Sequence, residues 1–318
     1  MRAVIAALAA NLGIAIAKFA AFLLTGSASL LAEAVHSVAD TGNELLLLIG
    51  GGRSRRARTE LHPFGFGRER YFYAFVVALL LFTVGAVFSI YDGVRKIISP
   101  DQVHDAAVAF AVLAVCAVLE GFSLRTAVRE ASQERQGRGW RSFVHATKSP
   151  ELPVVLMEDL AALLGLGFAF LGVLLSVLTH DGRWDGAGSV AVGVLLVCAA
   201  FIVGYETKSL LIGEAATVET SAAIVRALED GLPKFRVIHM RTSHIGPEDL
   251  LVAAKIAVPA SMMAGQLAAA IDAAELRVRT AVPIAKTIYL EPDIYRPGEA
   301  DPADPSVAIV DRSTRRPD

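Results

Sequence analysis

The stretch Ser29-Leu-Leu-Ala-Glu-Ala-Val-His-Ser-Val-Ala-Asp-Thr-Gly-Asn43 decides how this chain is read. Within it Glu33, His36, Asp40 and Asn43 follow one another at spacings of three, four and three residues, which on a helix draws them into one stripe. The other faces, and the run from Leu45 to Ile49 that follows, are apolar enough for a membrane span. A soluble helix would turn such a stripe to water, whereas a span must turn it to protein or to a wet cavity. An imidazole and carboxylates at that depth can strip water from a divalent cation and replace it.

The rest of the composition agrees with a membrane setting. Of 318 residues 54% are hydrophobic and 19% charged, and the mean hydropathy is +0.52, too apolar for an ordinary soluble domain. The apolar content is heavy up to about Gly204 and ordinary afterwards, so two parts are expected. A formal charge of -2 and the lack of a basic, aromatic surface argue against nucleic acid as a partner. Cys116 and Cys198 lie in apolar runs and form neither a disulfide framework nor a CxxC metal clip. The opening run from Ala3 to Leu24 is too long for a signal peptide, and further spans follow at once, so it reads as a first membrane helix.

Six apolar runs of spanning length occur at about 3–24, 30–50, 71–92, 106–127, 152–178 and 187–206. Arg53, Arg55, Arg56, Arg58, Arg68 and Arg70 follow the second, and Arg125, Arg129, Arg135, Arg138, Arg141 and Lys148 follow the fourth. The opposite loops hold only Arg95, Lys96 and Arg183. The excess of basic residues on one side places those loops, and both termini, in the cytoplasm. Beyond Gly213 the pattern becomes a helix over 221–231, strands over 235–242 and 250–258 joined at Gly246-Pro247, a helix over 262–278 and a strand over 286–291.

On the fifth span Glu158 and Asp159 interrupt an apolar run. Neighbours on a helix point about 100° apart, so both contribute to one site only by flanking the inward direction. Two buried carboxylates side by side are costly unless a cation or protons neutralise them. With His36 and Asp40 they offer one imidazole and three carboxylates, a donor set for a divalent metal that protons contest. The plainer reading is that these groups only lock helices together, but few cationic partners lie nearby. Asn11 and Lys18 share one face of the first span and read as structural; Glu120 is expected half-solvated near the cytoplasmic end of the fourth; glycines 165, 167, 172, 188, 193 and 204 suggest close helix packing.

These residues resemble the cation diffusion facilitator family of metal transporters over roughly residues 3–293. The likeness rests on the segment from Gly26 to Asp40, then His62-Pro-Phe-Gly-Phe-Gly-Arg68, then Arg241-Thr242 and Glu291-Pro-Asp293. It implies a homodimer, six spans per protomer, a metallochaperone-like cytoplasmic domain, and metal export in exchange for protons. It also implies a site with two ligands four apart on the second span, matched by His36 and Asp40, and two on the fifth. There Asp159 matches the second ligand, while the first falls on Val155, which cannot ligate, and Glu158 is the nearest substitute. The chain resembles the branch that carries Glu-Asp here, and the shift toward oxygen admits manganese, iron or cobalt beside zinc. Two auxiliary zinc sites of some members look degraded, since Phe66 and Thr59 accompany His62 in the loop, and Met263 and Tyr289 stand in the soluble domain.

The sequence thus predicts an all-α six-helix transmembrane domain over 1–208, a small ferredoxin-like α-β-β-α-β cytoplasmic domain over 209–293, and a disordered tail over 294–318. The expected activity is proton-coupled efflux of a divalent cation, zinc being the first choice, from the cell's inner (plasma) membrane. His36, Asp40, Asp159 and Glu158 are expected to hold the ion, with Asn43, Glu33, Asn11 and Glu120 as accessory polar groups. The partners are the ion, protons, the lipid bilayer and a second copy of the chain; no organic cofactor and no catalytic residue is expected. A membrane-tethered metal sensor without transport is the alternative. A membrane metalloenzyme would need an HExxH-like motif, which the sequence lacks.

Overall fold

The computed structural model describes residues 2–25, 28–100, 106–135, 137, 139–140, 143, 147–231 and 235–294, and for 21, 22, 24, 25, 28–36 and 39 the backbone alone. The expected tail therefore lies, from residue 295 onward, outside the described residues. The chain divides into two compact units, residues 1–61 with 68–209, and residues 62–67 with 210–318.

The first unit consists of long helices: α1 (Arg2–Thr25), α2 (Ala28–Arg53), α3 (Glu69–Ile98), α4 (Ala106–Arg135), α5 (Glu151–Thr179) and α6 (Arg183–Ile212). Continuous apolar sequence favours helix in lipid because a helix satisfies its own backbone hydrogen bonds. Among the described residues five stretches are long and apolar enough to cross a membrane: Arg2–Ala20 of α1, and α3, α4, α5 and α6. Helix α2 carries Asp40, Glu44 and Arg53 in an otherwise apolar sequence. Ile5, Ile16, Leu164, Leu171, Val194 and Phe201 are exposed on these helices, a surface suited to lipid. Pro153 falls in the first turn of α5, where a missing N–H costs nothing.

Helix α1 packs against α2, α4 and α5, α4 against α5, and α2 against α3. Glycines bring α6 close to its neighbours: Gly186 meets Gly93 of α3, and Gly188 meets Gly172 of α5. Gly167 departs from the packing expectation, with nothing within 4 Å of a Cβ built on it. Within α3 the segment Leu81–Ala86 is a π-helical turn, a widening often found beside functional groups. Where α3 and α5 begin, the Arg70 guanidinium grips the Glu151 carboxylate with both prongs, Nη2 lying 2.8 Å from Oε2. Nearby Leu47, Ala74, Val77, Val154 and Val155 form a tight apolar cluster.

The second unit runs α7 (Val218–Glu229), β1 (Arg236–Gly246), β2 (Asp249–Ala257), α8 (Ala264–Ala281) and β3 (Thr287–Asp293). The element order is the α-β-β-α-β read from the sequence, with β1 extending four residues past the expected end. Strands β1 and β2 are antiparallel, β2 and β3 parallel across the α8 crossover, and the order is β1-β2-β3. Alternate residues of β2, namely Leu250, Val252, Ala254 and Ile256, are buried against Ile224 and Leu228 of α7 and Ala274 and Val278 of α8. Lys255 reaches Glu291 and Asp293, each at 3.1 Å, and these hydrogen bonds raise its pKa above the usual lysine value. The 62–67 loop belongs to this unit: a Cβ on Gly67 would stand 2.6 Å from the Ile245 carbonyl oxygen, so only glycine fits there.

Candidate functional site

Glu158 and Asp159 lie in the third turn of α5 and are both buried, 8% and 2% exposed. Their 100° separation sends them to different helices. Asn43 of α2 donates its Nδ2 to Glu158 Oε1 at 3.3 Å, and Ser123 of α4 donates its Oγ to Asp159 Oδ2 at 2.8 Å. Asp159 stands eight residues from Glu151, about 12 Å of helix rise from the Arg70–Glu151 fork.

A cavity of about 450 Å³ brings most of the sequence-read residues together. Asn11 and Lys18 of α1, Asp40 of α2, Glu120 of α4, and Glu158 and Asp159 of α5 all line it. It extends along α3 to Asp92, Arg95 and Lys96, toward the end opposite the fork. There Lys96 Nζ lies 3.0 Å from both Asp92 and Asp185, tying α3 to α6. Asn43 lies on a second cavity with Asp40, against Leu81, Val84 and Gly85 of the π turn. His36 and Glu33 sit on α2 one and two turns before Asp40, and their side chains lie outside the described residues.

Glu120 differs from expectation. It is 7% exposed, not half-solvated, because it stands at the middle of the long α4, one turn before Ser123. Sequence reading missed two further groups. Ser123 is fully buried and holds Asp159, a role no motif announces. Glu44 is fully buried on α2, and its placement four residues after Asp40, continuing the polar stripe by one turn, was the available signal.

The electrostatics are lopsided. Asp40, Glu120, Glu158 and Asp159 line one cavity, Glu44 interacts with Glu158, Asp159 and Asp40, and Lys18 acts as a counter-charge to Glu120. Both oxygens of Glu44, Oε2 of Glu158 and Oδ1 of Asn43 are buried with no hydrogen-bond partner among the described residues. Uncompensated buried carboxylates cost several kcal/mol each, so such a cluster suits cations or protons. Among the described residues no three His, Cys, Asp or Glu side chains converge closely enough to hold one metal ion together.

Buried acids around a cavity in a bundle of membrane-length helices mark a functional site. Residues 4–212 match the family profile of the cation efflux transmembrane domain, and the chain belongs to that cation-efflux family. The chain is 34% identical over 225 residues to the proton-coupled zinc antiporter SLC30A9, mitochondrial, of Homo sapiens, covering 70% of this chain and 39% of the relative. It is 29% identical over 257 residues to metal tolerance protein C4 of Arabidopsis thaliana, 80% of this chain and 56% of the relative. It is 26% identical over 247 residues to the cation-efflux pump FieF of Klebsiella pneumoniae, 77% of each. The chain thus spans well under two thirds of the length of the SLC30A9 relatives.

Proposed function

We propose that this protein exports a divalent cation, zinc in the first place, in exchange for protons, as a homodimer of six-span protomers in the inner (plasma) membrane with both termini in the cytoplasm. Helix α2 is the sixth span; Asp40 lines the cavity and Asn43 and Glu44 are buried, so this part of the helix turns its polar groups to protein instead of lipid. His36, Asp40 and Asp159 hold the ion and Glu158 assists, with Asn43 and Ser123 orienting the two α5 carboxylates. Asn11, Glu33 and Glu120 are accessory polar groups along the path. The observation that carries this reading is the burial of Glu158 and Asp159 on a cavity they share with Asp40.

Metal from the cytoplasm displaces protons from these groups, since a carboxylate or imidazole must be deprotonated to ligate. Relative motion of the helices then exposes the site outward, where protons displace the metal and return inward. The cavity's reach toward the Asp92–Lys96 end, with the Arg70–Glu151 fork at the other, supports an outward-facing arrangement of the site. The SLC30A9 relative, a proton-coupled zinc antiporter, supports both the cargo and the coupling.

The test is flux into proteoliposomes carrying an internal metal dye under an imposed pH gradient. Wild type should move zinc, and Asp40→Ala or Asp159→Ala should abolish flux while the purified protein remains a folded dimer. Wild-type rates in both variants would refute the site. Saturable zinc binding by wild type without any flux would favour the sensor instead.

A further inference from the structure

Glu44 has no role in the site described so far. It is 0% exposed, and neither carboxylate oxygen has a hydrogen-bond partner among the described residues. Its strongest electrostatic neighbours are Glu158, Asp159 and Asp40, all acidic, and the Glu158 carboxyl lies against it. The Glu158 oxygen not engaged by Asn43 is likewise buried and unpartnered, as is Asn43 Oδ1. Four oxygens with free lone pairs thus meet at the contact between α2 and α5, one helical turn from Asp40. Apolar residues would serve a merely structural contact better, because an unpartnered buried carboxylate destabilises the fold.

We propose that Glu44 is a specificity-determining residue of the transport site: with Glu158 it offers a bound divalent ion an additional carboxylate arm and tilts the site toward oxygen-preferring ions such as Mn²⁺. The proposal rests on the transport-site reading above. Zinc is satisfied by four donors and accepts imidazole readily. Manganese prefers carboxylate, carbonyl and water oxygen in a larger octahedral shell. An oxygen arm beyond His36, Asp40 and the α5 pair therefore contributes more to manganese than to zinc. Glu44 stands on the same helix as Asp40, one turn further along.

The experiment measures Zn²⁺ and Mn²⁺ dissociation constants by chelator competition on purified full-length protein in nanodiscs at one fixed pH. The variants are Glu44→Gln, which keeps the shape and removes the charge, and Glu44→Asp, which keeps the charge and withdraws it by one methylene. The ratio of the manganese to the zinc constant should rise about tenfold in Glu44→Gln and by less in Glu44→Asp. A ratio within threefold of wild type in Glu44→Gln overturns the proposal. Should Glu44→Gln not fold, the same threefold criterion applies to Glu44→Asp. Asp159→Asn separates the two levels. If it binds both metals as wild type does, the transport-site reading fails; if it loses both while the Glu44→Gln ratio stays put, only the specificity role fails.

Discussion

Ser123→Ala should weaken zinc binding by about one to two orders of magnitude without unfolding the protein. The Ser123 hydroxyl and the Asp159 carboxylate are both buried, and a 2.8 Å bond joins them. A hydrogen bond to a charged group contributes about 1.5–3 kcal/mol, and removing the donor also leaves a buried oxygen unpartnered. At about 1.4 kcal/mol per tenfold, that energy corresponds to a loss of about 10–100-fold, the range found when a group orienting a metal ligand is removed. Isothermal titration of purified protein with zinc reads the affinity, and proteoliposome flux at subsaturating zinc should fall with it. Thr126→Val is the matched control. Thr126 is on the same helix but only half-buried, and its hydroxyl donates to the carbonyl of Phe122, one turn back, not to an acid of the site. Zinc affinity within twofold of wild type in Ser123→Ala would show that Asp159 does not depend on α4 for its orientation.

Two structural predictions accompany it. Arg70→Met leaves Glu151, 4% exposed, buried without its fork; the cost should be about 3 kcal/mol, the low end for a broken buried pair because the Arg70 side chain keeps 15% exposure. The thermal midpoint should drop by several degrees and recover largely in Arg70→Met/Glu151→Leu, and an unchanged midpoint in the single variant would contradict the reasoning. Gly93→Ala places a Cβ 2.7 Å from both the Gly186 carbonyl oxygen and the Val190 nitrogen, so α3 and α6 must separate, whereas Gly42→Ala meets nothing within 4 Å. The first should lower the thermal midpoint and the second leave it unchanged or higher; equal behaviour would mean that the α3–α6 contact is not tight.

The helices of the first unit were legible because a membrane imposes one simple requirement, an apolar run of sufficient length. Glu158 and Asp159 were legible for the same reason in reverse, as charges that such a run tolerates only for cause. What could not be read was the partner each would face. Nothing local announces that Asn43 turns to Glu158 or Ser123 to Asp159, since those pairings depend on how α2 and α4 are rotated against α5. Glu120 was misjudged because α4 runs on far beyond a single span, which puts this residue at mid-helix instead of near an end. Glu44 lies beside Asn43 in the chain and one turn beyond Asp40, so the period of 3.6 carries the stripe on to it, but sequence alone does not separate it from a charge at the edge of the stripe. In the second unit the order of elements followed from alternation and turn residues, but the docking of 62–67 on it came from a contact 178 residues away in sequence, between Gly67 and Ile245.

Glu158 and Asp159 are chain neighbours that answer to different helices, and this fixes more than their identities. Deleting one residue anywhere from Glu151 to Met157 would turn the pair by about 100° against the bundle. Asn43 would then meet a shorter acid and Ser123 would face Leu160; an insertion would set Met157 against Asn43 and Glu158 against Ser123. Neither error can be mended by a rotamer. The length of that opening stretch of α5 is therefore as tightly constrained as the two acids themselves, while the residues that fill it after Glu151 need only be apolar and fit their neighbours.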